Sequence, residues 1–242
     1  MAYIAQEQDQ VVVKMIAGNS SDDGQDHWRQ VSFKNKRALK NVVTELGVKE
    51  ALEADITEFC ESEKWYTSRG VPWRRGFLLH GVPGSGKTSL IHALASACDL
   101  DIYVISLATA GNKKHKLDPA LIRPGRADII VEFNNASKLV CEGLFKVFYP
   151  LSGDFLVRHA RRVDEKSNPL AGEKGFNAGL TAPDIEDLAR KFASLIPEGR
   201  FTPAQIQGFL MMHKRYPGEA VDSVAAWIRA KDAEQKDEEV MA

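Results

Sequence analysis

The kinds of residue that mark specialised environments are scarce in this chain of 242 residues. It has three cysteines, Cys60, Cys98 and Cys141. An odd number so widely spaced excludes a disulfide framework and argues against a zinc site. Their places in or at the ends of helix-like apolar patterns predict buried thiols in a reducing compartment. No apolar run approaches the roughly 18 residues of a membrane span. The opening "MAYIAQEQDQ" has neither a basic n-region nor an Arg-rich amphipathic pattern, so no targeting segment is read there. Charge of one sign is also lacking: 32 Lys+Arg stand against 33 Asp+Glu. The balance gives no call for nucleic acid or an anionic membrane surface.

What is present is an ordinary globular composition with 44% apolar residues, enough for one domain with an appendage or two small ones. "VVVKMI" (11–16) and "WRQVSF" (28–33) flank a turn-rich stretch and predict a hairpin. Val48, Leu52, Ile56 and Phe59 recur at helical spacing, ending near Gly70 and Pro72. Short apolar runs at 76–79, 101–108 and 128–133 predict strands. Helical stripes follow at Val140, Cys141, Leu144 and Phe148, then after Thr181 and Thr202, then from Val221 to Ile228. The second of those threonines has Pro203 at the first helical position and Gln205 three residues after the cap. The charged tail "KDAEQKDEEVMA" is expected to fray.

The distinctive stretch is "FLLHGVPGSGKTSLIHALA" (77–95). Gly81, Val82, Pro83, Gly84, Ser85, Gly86, Lys87 and Thr88 fit G-x-x-x-x-G-K-[ST], with a predicted strand before and a helix after. Glycines let backbone N–H groups turn inward around phosphates, and the helix N-terminus adds the positive end of its dipole. Lys87 is placed against the β- and γ-phosphates, and Thr88 offers its hydroxyl to Mg²⁺. The loop alone fits ATP or GTP.

A second stretch, "LDPALIRPGR" (117–126), carries Arg123 and Arg126 three apart around Pro-Gly. Such a pair reads either as a solvated turn or as arginine fingers that compensate charge on a neighbour's γ-phosphate. The basic runs "KKHK" (113–116) and "RHARR" (158–162) are not interleaved with aromatics and read as solvated loop charge, with no nucleic-acid role. His80 reads as a strand-end packing residue, and Trp65, Tyr66 and Trp73 as packing groups at the entrance to the nucleotide domain.

Together "GVPGSGKT" and "LDPALIRPGR" resemble the AAA ATPases, ring-forming machines that remodel or move other proteins. The strings "DITEFCESEKWYTSRGVPWRRGFLLHGVPGSGKTSLIHALA", "DIYVISL", "FNNASKLVCEGLF" and "FTPAQIQGFLMMHK" look like one subfamily, over roughly Trp28 to Ile228. It is that of the mitochondrial inner-membrane translocase of the folded Rieske iron-sulfur subunit in respiratory complex III assembly. The resemblance implies an α/β fold: a reduced P-loop NTPase domain of three layers with a short parallel sheet, plus a C-terminal helical lid. A family-specific segment over 1–46, a nucleotide-binding core over 47–150 and a connector with lid over 151–242 are the expected divisions. ATP with Mg²⁺, a homo-oligomeric ring or co-assembly with intact relatives, a protein substrate and an inner-membrane location are implied in the same way. So are the site roles: Lys87 at the phosphates, Arg123 and Arg126 as the arginine pair, and Asn112 orienting water at the γ-phosphate. For Asn112, simple turn chemistry is the equal alternative.

One stretch of the family pattern is missing. "ISLATAG", like the end of a second strand, runs straight into "NKKHK", like a sensor loop, so two strand-helix units of about 60 residues are absent at an apparent junction between Gly111 and Asn112. No Asp or Glu stands between Asp101 and Asp118. The carboxylates that hold Mg²⁺ and polarise the attacking water in P-loop enzymes therefore have no counterpart. Kinship implies ATP hydrolysis and the missing acids argue against it. The alternatives are a non-hydrolysing regulatory subunit or the product of an incomplete gene model. With two units gone, the strand from Ile102 is expected to lie beside the strand at 76–79.

Overall fold

The computed structural model describes residues 10–16, 28–104, 126–150 and 181–241. Its order is β1 (Gln10–Ile16), β2 (Trp28–Asn35), a 3-10 turn (Leu39–Asn41), α1 (Val48–Glu61), α2 (Glu63–Ser68), β3 (Phe77–Gly81), α3 (Lys87–Ala97), β4 (Ile102–Val104), β5 (Ile129–Phe133), α4 (Lys138–Phe148), α5 (Ala182–Leu195), α6 (Pro203–Met212) and α7 (Pro217–Met241). The fold is mixed α/β, with helices outnumbering strands among the described residues. No described helix is long and apolar enough to cross a membrane. The chain divides into two compact units, Met1–His80 with Gly86–Phe133, and Gly81–Ser85 with Asn134–Ala242.

In the first unit the expected hairpin forms, β1 pairing antiparallel with β2 from Gln10↔Asn35 to Ile16↔Trp28, with an irregularity at Val13/Lys14. The strand from Ile102 does not lie beside β3. It runs parallel to β1, Val13 facing Ile102 and Met15 facing Val104, in a sheet ordered β2-β1-β4. The hairpin leaves one edge of β1 open while burying Val11 and Val13, and β4 satisfies that edge's backbone groups as a second neighbour.

β3 pairs with β5. The two strands start together: the Gly76 carbonyl accepts from the amides of Asp128 (2.9 Å) and Ile129 (3.1 Å), and the Gly76 amide donates to the Asp128 carboxylate (2.9 Å). This common start makes the pair parallel. A Cβ at residue 76 would stand 1.9 Å from the Arg126 carbonyl oxygen, so only glycine fits. Leu90, Ala93 and Leu94 on α3 pack with Leu52 on α1, Val42 and Phe133 into one core.

The second unit is built on aromatic stacking. Phe192 on α5, fully buried, sits 5.1 Å from Phe145 on α4 and 6.0 Å from Phe209 on α6 by ring centroids. Trp227 on α7 packs at a tilt against Phe209 (5.0 Å) and Phe201 (4.6 Å). The Lys138 ammonium donates to the carbonyls of Ala193, Ser194 and Ile196, placing a cation on the exposed carbonyls at the end of α5. Both threonine caps form. Thr181 donates its amide (2.7 Å) and hydroxyl (2.6 Å) to the Asp184 carboxylate, and the Thr202 amide donates to Gln205 (2.9 Å).

Two expectations need correction. The tail does not fray at Lys231: α7 continues to Met241. Its Ala, Glu, Gln and Lys are strong helix formers, and Lys231 pairs with Glu234 one turn on. Of the three thiols, Cys141 is buried and Cys98 half-buried, but Cys60 is exposed, because α1 turns Leu52 and not Cys60 toward the core.

Replacing Phe192 by Ala removes the ring between Phe145 and Phe209 and is expected to cost about 3–5 kcal/mol in urea unfolding followed by circular dichroism. The Asp184 carboxyl is held below its ordinary value by the Thr181 hydrogen bonds. Its stabilising effect is therefore present above the ordinary carboxylate range and lost as pH falls through the folded value. The difference in Tm between wild type and Asp184→Asn is expected at neutral pH and should close as the pH is lowered below the ordinary carboxylate range.

Candidate phosphate-binding loop

β3 ends at Gly81 and α3 begins at Lys87, so the loop residues follow a strand and open a helix without interruption. Gly84 (φ 78°) and Gly86 (φ 100°) lie in the left-handed region that L side chains rarely adopt. Ser85, the buried polar residue of the loop, donates its hydroxyl to the Val82 carbonyl at 2.8 Å and closes the turn from inside.

The N-terminus of α3 is built for an anion. Its N-cap is Gly86, which has no side chain to cap the helix, and no acidic residue stands in its first turn. Four amides at a helix start lack intrahelical acceptors, and the dipole favours negative charge there. Lys87 occupies the first helical position and Thr88 the second. Polyphosphate fits this donor set: amides and one ammonium, with no acidic residue in the first turn. For a cation the loop offers the Thr88 hydroxyl, and Thr88 is exposed.

The front of the loop docks on the start of α6, a contact that the sequence reading missed. The Ala204 amide donates to the Gly84 carbonyl at 3.1 Å. A Cβ on residue 84 would meet the Ala204 Cβ at 3.1 Å and the Thr202 hydroxyl oxygen at 3.3 Å. The capping box announced the helix start; nothing in its spacing announced that the loop would rest there.

Arg126 is exposed, and its carbonyl faces Gly76 at the start of the β3–β5 pair. Asn112 and Arg123 lie outside the described residues. His80 is the last residue but one of β3 and is half-buried. Trp73 stacks on Phe59 at 5.2 Å, and Trp65 meets Tyr66 edge-on at 5.2 Å, so these rings do pack on one another, but Trp65 stays about half exposed.

Residues 77–113 match the family described as "ATPase family associated with various cellular activities (AAA)", and residues 140–226 match "Mitochondrial chaperone BCS1-like, ATPase lid domain". The chain is 41% identical to "Mitochondrial chaperone BCS1" of Danio rerio over 202 residues, covering 80% of this chain and 47% of that protein. With the Homo sapiens protein of the same name the identity is 33% over the same shares. With that of Bos taurus it is 25% over 270 residues, 81% of this chain and 57% of the relative. The chain thus spans about half the length of the curated relatives it matches. The Bos taurus alignment is longer than the chain itself, so that relative contributes residues inside the matched span that face none here.

Gly84→Ala and Gly86→Ala separate backbone strain from crowding. Both place a Cβ at positive φ, at a cost of about 1–2 kcal/mol, but residue 86 has open space around it and residue 84 does not. Thermal unfolding is expected to show the larger loss for Gly84→Ala; equal losses would mean that the start of α6 yields freely.

Proposed function

The chain belongs to the AAA ATPases with a BCS1-like lid, and we propose that it binds ATP with Mg²⁺ on the loop Gly81–Thr88 as a subunit of the mitochondrial machinery that assembles respiratory complex III. The observation that carries this reading is β3, the glycine loop with Gly84 and Gly86 at positive φ, and α3 opening on Lys87 and Thr88, in unbroken succession. Lys87 binds the β- and γ-phosphates, the amides from Gly84 to Thr88 take the remaining charge, and Thr88 holds Mg²⁺, which neutralises the phosphate oxygens when bound. Arg123 and Arg126 serve a neighbouring subunit's nucleotide in a ring, and Asn112 has the role of orienting water at the γ-phosphate. The ring works at the mitochondrial inner membrane on a protein substrate.

Within that ring we assign the chain to holding nucleotide rather than cutting it. Three observations support this. No carboxylate stands between Asp101 and Asp118, the stretch matched to the AAA family stops at residue 113, and the Bos taurus relative has residues inside the span that this chain lacks. Co-assembly with full-length relatives then supplies turnover. A second reading has its own observation, the abrupt passage from "ATAG" to "NKKHK": an incomplete gene model, which transcript sequencing across Gly111 decides.

Lys87→Ala removes a charged hydrogen-bond donor worth roughly 1.5–3 kcal/mol. Titration with a fluorescent ATP analogue and Mg²⁺ is expected to show affinity falling about 10- to 100-fold, while the slow phosphate release of the two proteins is the same. Release by the wild type well above the variant would overturn the non-hydrolysing role; equal affinities would overturn the site.

A further inference from the structure

We propose that the cavity walled by α1, α2 and the segment entering β3 binds a basic side chain, an arginine by preference, presented by a partner protein. The cavity holds about 190 Å³, and its lining combines aromatic rings with carboxylates: Phe59, Trp65 and Tyr66 beside Asp55 and Glu58, with Arg75 as the one cation. All of these lie in the first unit, apart from the phosphate loop's lysine and threonine in their chemistry.

The two carboxylates are not equivalent. Asp55 is committed, since the Arg75 guanidinium grips it through Nε at 3.0 Å and Nη2 at 2.5 Å. Glu58 has no hydrogen-bond or ion-pair partner for its carboxylate among the described residues; only its backbone carbonyl is engaged, accepting from the Ser62 hydroxyl at 2.6 Å. The lining therefore carries one carboxylate more than its guanidinium answers.

The rings are held in place to receive a cation. Phe59 meets Tyr66 edge-on at 5.8 Å and stacks on Trp73, whose indole N–H donates to the Phe59 carbonyl at 3.0 Å. Trp65, half exposed, is held edge-on against Tyr66. Aromatic faces next to a carboxylate are the recognition elements for an ammonium or a guanidinium. This surface already uses both modes on its own side chains, Arg75 forked on Asp55 and the Arg69 guanidinium 4.3 Å above the Trp65 ring. Planar stacking and forked hydrogen bonding are what distinguish Arg from Lys. The field agrees, for Lys49 to Lys64 carries six carboxylates against two lysines.

The test is titration of the full-length, isotope-labelled chain with N-acetyl-arginine amide at fixed ionic strength, following the Trp65 indole N–H by NMR and assigning it with Trp65→Phe. A saturable shift with a millimolar Kd is expected, weakened at least about fivefold in Glu58→Gln, whose remaining spectrum reports the intact fold. N-acetyl-norleucine amide, with a similar stem and no charge, is expected to produce no saturable shift, and Lys87→Ala to respond as wild type does, which keeps this site separate from nucleotide binding. An equal response to the norleucine probe, or unchanged affinity in folded Glu58→Gln, overturns the proposal. Tighter binding of putrescine than of the arginine amide overturns the assignment to a protein-borne side chain.

Discussion

The structure depends on one constraint: the chain must turn from β3 into α3 within five residues, with a glycine and no acidic side chain at the helix start. Gly84 and Gly86 meet it with positive φ, which a Cβ would penalise by about 1–2 kcal/mol each. The N-cap is glycine and the first turn holds no acidic residue, a start that favours an anion through the helix dipole. The same economy of atoms lets the backbone of residue 84 approach Thr202 and Ala204, where its carbonyl finds a donor. A bulkier loop would lose both these backbone angles and the rest on α6.

Elements with strong local signals were legible. Val48, Leu52, Ile56 and Phe59 announced α1, and Thr181 and Thr202, the second with Pro203 and Gln205 behind it, announced α5 and α6, because cap chemistry is confined to one turn. The glycine loop was legible for the same reason: its φ demands and its lysine lie within eight residues. Less legible were the choices made over long sequence separation. Ile102–Val104 pairs with β1, a strand about 90 residues earlier, and periodicity says which residues form a strand but not which edge they join. The rest of Gly84 on Ala204 spans 120 residues and rests on a backbone hydrogen bond, which leaves no side-chain signature. The continuation of α7 shows the opposite failure: charge was read as disorder where helix propensity prevails.

The candidate site separates holding from cutting. Holding a polyphosphate needs amides, an ammonium and a hydroxyl, all supplied within Gly81–Thr88. Cutting it needs a carboxylate for the metal and another for water, and the stretch from Ile102 to Leu117 supplies neither. The proposed function rests on that difference, together with the Bos taurus relative's extra residues in the matched span.

Isothermal calorimetry of the folded, full-length chain with ATP in the presence of Mg²⁺ tests the central claim most directly. The account predicts a saturable heat of association with one nucleotide per chain. Absence of any heat of association, in protein whose circular dichroism shows the described helices, would contradict it.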